Sequence, residues 1–186
     1  MKSLRSLYPV FLIVFSLVAF ALTGADKAAS SEAERSFDAM KTVAGSWDGV
    51  VTVDPPVPEM NGKAVHISLR ETSRGHALVH EMQGAETPLD AKKYDHPVTM
   101  LYVEGDRLLL THYCDAGNRP RMAGKVSPDG KKVDFEFVDL SGGTEYGHMH
   151  HALFTLIDAN HHTEDWTYMM PGDKPMHAHM DLQRTK

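Results

Sequence analysis

Cysteine is almost absent: Cys114 is the only one in 186 residues. No disulfide can form within the chain, and a lone thiol in an oxidising compartment is either buried or a ligand. Positive charge is also in short supply. Lys and Arg number 19 against 25 Asp and Glu, for a net charge of −6. An acidic domain is a poor match to a phosphate backbone, so nucleic acid is excluded as a partner. There is no Gly-x-Ser-x-Gly elbow, which leaves nucleophilic hydrolysis with little support. A phosphate-binding glycine loop and a dinucleotide fingerprint are missing too. Beyond residue 22 no apolar run reaches membrane length. Internal repeats and low-complexity segments are lacking.

What is present begins with a targeting pattern. Lys2 and Arg5 precede an apolar run from Val10 to Leu22, broken only by Ser16. The small residues Thr23-Gly24-Ala25 then offer a cleavage site, with Ala19-Phe20-Ala21 as the other option. Residues 1–25 therefore read as a secretory signal peptide, and the mature chain is expected outside the cytoplasm, secreted or periplasmic. Their removal takes away two positive charges and no negative one, so the net charge of −6 becomes −8. No membrane association is expected once they are gone.

Residues 26–36 read as a linker and the start of a short helix. Ser31 and Glu34 have capping-box spacing, and Phe37, Met40 and Val43 recur at helical spacing over 32–42. From Gly45 the pattern changes to two-residue alternation. Trp47, Gly49, Val51 and Val53 share one face. Val65, Ile67 and Leu69 share another, and Val133, Phe135 and Phe137 a third. Turn signals punctuate the runs at Pro55-Pro56, Glu104-Gly105-Asp106, Pro128-Asp129-Gly130, Asp158-Ala159-Asn160 and Pro171-Gly172-Asp173. About ten strands result, with a long loop over 84–96 and a strand over 76–82 whose inward face is ambiguous. This predicts an all-β domain over 37–186, a closed antiparallel barrel of about ten strands with a short N-terminal helix. A β-sandwich is the alternative. Closure removes sheet edges and can enclose a ligand cavity.

The stretch Phe37 to Gly49, FDAMKTVAGSWDG, resembles the opening of the calycin-type barrels, which include lipocalins, fatty-acid-binding proteins and nitrobindin-like haem barrels. In lipocalins a Gly-x-Trp begins the first strand after a short helix; here it is Gly45-Ser46-Trp47. The resemblance implies a Trp that plugs one barrel end, with a basic residue of the last strand, Arg184, packed over it. Further blocks, including Leu110-Thr111-His112-Tyr113-Cys114, His148-Met149-His150 and Glu164-Asp165-Trp166-Thr167-Tyr168, look like an uncharacterised family of secreted bacterial lipocalin-like proteins. Nitrobindin-like proteins carry Gly-x-Trp-x-Gly-x-Gly. This chain has Gly45, Trp47 and Gly49 but Val51 in the last position, a departure that counts against haem.

Chemistry-bearing residues fall on the predicted strands. His148 and His150 share a face with Ala152, Phe154 and Leu156, and His112 and Cys114 share one with Leu108 and Leu110. If both faces turn inward, three imidazoles and the thiol meet. Such donors suit zinc or copper. A His-x-His pair sets its rings about 7 Å apart along the strand, and a third ligand from another strand closes the geometry. With an open coordination position, Glu81 or Glu145 could act as base in a metal-dependent enzyme of hydrolase type. A ligand pocket is expected from Glu81, Met100, Tyr102, Arg119 and Trp166. Met176-His177-Ala178-His179-Met180 has a copper-handling composition, but its parity turns both histidines to solvent. His161 and His162 at a turn, with His76, His80 and His96 near loops, read as solvated; His96 could line the barrel mouth. The leading functional expectation is a small-molecule-binding barrel holding a metal through interior histidines. A metal-dependent enzyme and a haem-binding barrel are the alternatives.

Overall fold

A computed structural model describes residues 30–185; the expected signal peptide lies outside the described residues. The described chain is one short α-helix followed by ten strands, with a single 3-10 turn at Ser73–Gly75. The helix α1 runs Glu32–Lys41. The strands are β1 Gly45–Asp54, β2 Lys63–Thr72, β3 Ala77–Gly84, β4 Val98–Glu104 and β5 Arg107–Tyr113, then β6 Arg119–Val126, β7 Lys132–Ser141, β8 His148–Asp158, β9 His161–Met170 and β10 Lys174–Arg184. Each strand pairs antiparallel with its neighbours in sequence, and β1 pairs with β10, so the sheet closes as a barrel. Closure leaves no unpaired edge.

Helix α1 starts where the capping box requires. Ser31 Oγ accepts from the Glu34 amide at 3.1 Å, and the Ser31 amide donates to the Glu34 carboxylate at 2.7 Å. Two of the four amides orphaned at a helix start, or just before it, are thereby satisfied. The helix lays Phe37 and Met40 over one barrel end, where they join Trp47 in the core. Ser36 ties it down by accepting from the Val126 amide at 3.0 Å.

That end is closed by Trp47. Its ring is fully buried, its indole N–H donates to the Val43 carbonyl at 2.9 Å, and the Arg184 guanidinium lies 4.1 Å from the ring centroid. Arg184 also donates to the Ala44 carbonyl at 2.8 Å, so the last strand is bound to the connection before the first. Two glycines make this corner possible. A Cβ on Gly45, whose φ is +148°, would collide with the Arg184 guanidinium, and one on Gly49 would collide with the Asp181 carbonyl of β10.

Three register shifts interrupt the strand pairing, one of them between β8 and β9 at Leu156/Asp158. Between β6 and β7 the register shifts at Arg121/Met122. Between β8 and β9, Met149 pairs with Tyr168 and His151 with Thr167. His150 is thus an extra residue, a β-bulge, and the alternation inverts on either side of it.

Candidate ligand cavity and its buried polar floor

The inner face of β9 organises the interior. It presents His162, Glu164, Trp166 and Tyr168 in sequence from the closed end toward the open one. Glu164 and His162 are 0% exposed, and His80 of β3 is 1% exposed. The Glu164 carboxylate accepts from His80 Nε2 at 3.0 Å, from His162 Nε2 at 3.1 Å and from the Trp166 indole N–H at 2.9 Å. Burial pushes the Glu164 carboxyl up more than any other single influence. The attraction of His80, with the hydrogen bonds from His162 and His80, outweighs it and holds the group well below the usual carboxylate range. The core therefore contains a carboxylate surrounded by donors. His162 in turn meets Trp47 edge-on, with centroids 4.2 Å apart, which joins this polar layer to the apolar plug.

His80 and His162 are buried, not solvated as their places near turns suggested. The reason is parity. β3 turns Leu78, His80 and Met82 inward, and β9 turns even-numbered residues inward. Trp166 was expected in the pocket. On a regular strand the same face must carry Glu164 and His162, and that was the signal in the sequence that could have found them.

Above this floor opens a cavity of about 580 Å³, within the range of small-molecule sites. Its walls are largely apolar. Met60, Met82, Met149, Met176 and Met180 contribute five thioethers, and Trp166 covers the floor. His112 is the buried polar group in the wall. It is 2% exposed, its Nδ1 lies 2.8 Å from Thr99 Oγ1, and its Nε2 is buried without a partner. Burial, with His80 nearby, pushes this imidazole down to about 4, so it is neutral near pH 7. Thr99 can donate to Nδ1 or accept from it, and Nε2 is accordingly a donor in the first case and an acceptor in the second.

The expected four-ligand cluster does not assemble. His112 and Cys114 both line the cavity. His148 and His150 instead pair with each other, Nε2 to Nδ1 at 3.1 Å, and pack on Phe137 outside it. The bulge at His150 is the cause: it puts Met149 into the cavity wall, where strict alternation would have put the two histidines. Among the described residues, three metal-ligating side chains converge within 4.8 Å in two places, Asp95–Cys114–Asp115 and Asp134–Glu136–His151. Neither place includes His148 or His150.

Of the residues expected to line the pocket, Trp166 does so. Glu81 lies outside, within 3.7 Å of Arg70, because β3 turns His80 and Met82 inward and so turns Glu81 out. Met100 and Tyr102 flank the inward Leu101 and face the outer wall, where the Tyr102 hydroxyl meets Thr111 Oγ1 at 3.2 Å. Arg119 donates to Ser141 on the surface. Glu145 is exposed. His177 and His179 face outward as their parity indicated, toward Thr167 and Asp165. His96 has a buried, unpartnered Nε2 in a cleft at the mouth.

No protein-family model matches the chain. No curated protein matches it either. Among solved structures it is similar to Rv2717c from M. tuberculosis, with a TM-score of 0.58 at 13% identity over 81% of this chain and 98% of that one. At that identity the likeness is one of fold. It is also similar, at a TM-score of 0.42 and 11% identity, to a protein of unknown function from the DUF3598 family of Nostoc punctiforme, over 78% of this chain and 48% of that one. The chain is a closed ten-stranded antiparallel barrel. Its chemistry has to be read from its own side chains.

Proposed function

We propose that the barrel binds a small, mostly apolar molecule in the open-end cavity, with its polar group held at His112 Nε2. The observation that carries this is the unpartnered imidazole nitrogen buried in an otherwise apolar wall. Leaving a buried polar atom unsatisfied costs about 1–3 kcal/mol. A ligand atom at that position would recover the hydrogen bond. Thioether-lined walls suit the reading, because methionine side chains repack around varied apolar shapes.

The test uses Trp166. The chain has two tryptophans; Trp47 is sealed in the closed end, while Trp166 lines the cavity. Titration with an anilinonaphthalene probe should quench Trp166 saturably, and Trp166→Phe should remove the quenched component. Ala178→Phe, which fills the cavity from β10, should abolish binding in a folded barrel. If the wild type shows no saturable quenching, or Ala178→Phe binds as well as wild type, the cavity is not a binding site.

A further inference from the structure

The hydroxyl of Thr99 has one partner, and that partner decides where His112 keeps its proton. Thr99 of β4 and His112 of β5 stand directly opposite each other. Both are buried, and Thr99 Oγ1 lies 2.8 Å from His112 Nδ1. Among the described residues the Thr99 hydroxyl makes no other hydrogen bond. Its neighbour on the other side, His80, keeps Nδ1 unpartnered and so does not take the hydroxyl proton.

Two arrangements are open to the pair. With the proton on Nδ1, Thr99 accepts it. The hydroxyl hydrogen is then buried without an acceptor, and the Nε2 lone pair without a donor. With Nδ1 bare, Thr99 donates to it, and the Nε2–H alone is left unpaired. One buried unpaired group costs less than two. The hydrogen bond at one ring nitrogen thus fixes the proton on the other, and His112 turns an N–H toward the cavity. Burial keeps the ring neutral near pH 7, so the choice lies between these two tautomers.

The rest of the wall narrows what can meet that N–H. Two other donors are engaged already, the Trp166 indole with Glu164 and the Tyr168 hydroxyl with the Tyr146 carbonyl at 2.6 Å. The charged side chains that line the cavity, Glu59, Lys63, Lys93, Asp95 and Asp115, are all exposed. A charged ligand group stays hydrated at their level. Beside His112 it would lose its water with no counter-charge in the wall.

We propose that the cavity selects an uncharged hydrogen-bond acceptor, a ligand oxygen of the carbonyl or ether class that takes the His112 Nε2–H, with Thr99 as the positioning residue that sets this preference. The inference rests on the cavity reading above and adds the sign of its polar contact. A ligand whose polar group is only a donor brings a second hydrogen to the first and leaves both unpaired.

Two measurements test it. In ligand-free protein at neutral pH, long-range ¹⁵N–¹H spectra of the imidazoles should show His112 with Nε2 protonated and Nδ1 bare, assigned by the signals lost in His112→Phe. Fluorene, fluorenone and carbazole are planar tricycles of one size that carry no polar group, an acceptor and a donor respectively. Fluorenone should displace the anilinonaphthalene probe, followed by the probe's own emission, about tenfold better than fluorene. Carbazole should do no better than fluorene. Thr99→Val, shown to be folded by circular dichroism, loses the donating hydroxyl and should narrow the gap between fluorenone and carbazole. A wild-type His112 protonated on Nδ1, or carbazole displacing the probe as well as fluorenone does, overturns the inference and leaves the cavity a binding site. An undiminished gap in folded Thr99→Val removes Thr99 from the role. If the wild type binds no probe, the cavity reading fails and the selectivity falls with it, whichever tautomer the spectra show.

Discussion

Trp166 donates its indole N–H to the fully buried Glu164 carboxylate at 2.9 Å while the same ring lines the cavity. One side chain thus joins the polar layer of the core to the surface a ligand would touch. The His80 and His112 rings lie 5.6 Å and 5.7 Å from it, centroid to centroid. Any change at Glu164 acts on Trp166, and through it on the cavity floor.

Glu164→Ala should be strongly destabilising. It leaves two imidazoles and an indole without their common acceptor, and breaking a buried pair by removing one partner costs about 3–5 kcal/mol. Glu164→Gln preserves the volume and two acceptor lone pairs, and should cost clearly less. Guanidinium denaturation midpoints at neutral pH compare the two. Equal midpoints for wild type and Glu164→Ala would show the network to be energetically idle.

Acid should weaken the fold through two groups acting in one direction. Glu164 is held below its ordinary value of 4.5, so its contribution is complete above that value and is lost as pH falls below it. His112 titrates at about 4 in the folded protein against an ordinary 6.5. The unfolded chain takes up that proton first, so stability declines as pH drops from 6.5 to about 4. A shift of this size corresponds to on the order of 3 kcal/mol. His112→Gln should flatten the upper window and Glu164→Gln the lower one, in denaturation series from about pH 8 to about pH 3. Slopes identical to wild type in both variants would assign the acid sensitivity elsewhere.

Gly49→Ala should destabilise although the residue has ordinary strand geometry. The added methyl meets the Asp181 carbonyl and Leu182 on β10, at the seam where first and last strands close the barrel. Overpacking of this kind costs about 1–3 kcal/mol. Gly105→Ala, at a hairpin turn with open space around it, bears instead on its φ of +62°, a backbone cost of about 1 kcal/mol. Thermal melts of both variants separate crowding from backbone strain.

The barrel was legible because its signal is repeated many times over. Alternation at Val65–Ile67–Leu69, Val133–Phe135 and Ala152–Phe154 sets inward faces independently in separate strands, and turn glycines set the connections. One misread strand leaves the rest intact. The site depended instead on two local events. His150 is itself the bulged residue and His148 lies beyond it, and a bulge is one inserted residue with no compositional mark in His-Met-His-His. His80 and His162 sit near strand starts, where polar residues are usually wet. Only the strand partners show that their rings share a carboxylate. Cys114 and His112 were placed correctly on one wall because that strand is regular to its end. Asp95 comes from a loop whose return path no periodicity encodes.

His112→Phe separates a residue kept for binding from one kept for the fold. In the free protein Nε2 has no partner, so its replacement relieves a buried unsatisfied group. The partner lost is the Thr99 hydroxyl, so one unpaired buried group replaces another. The ring volumes are similar, and the cavity alongside can take the added carbon. Stability should therefore stay within about 1 kcal/mol of wild type or rise, in contrast to Glu164→Ala, whose core position offers no such relief. Affinity for ligands that pair with Nε2 should fall at the same time, while purely apolar probes should still quench Trp166. Paired denaturation and fluorescence titrations on the one variant decide it. A loss of several kcal/mol with probe affinity unchanged would make His112 a structural residue, and the polar end of the cavity would have to be sought elsewhere on its wall.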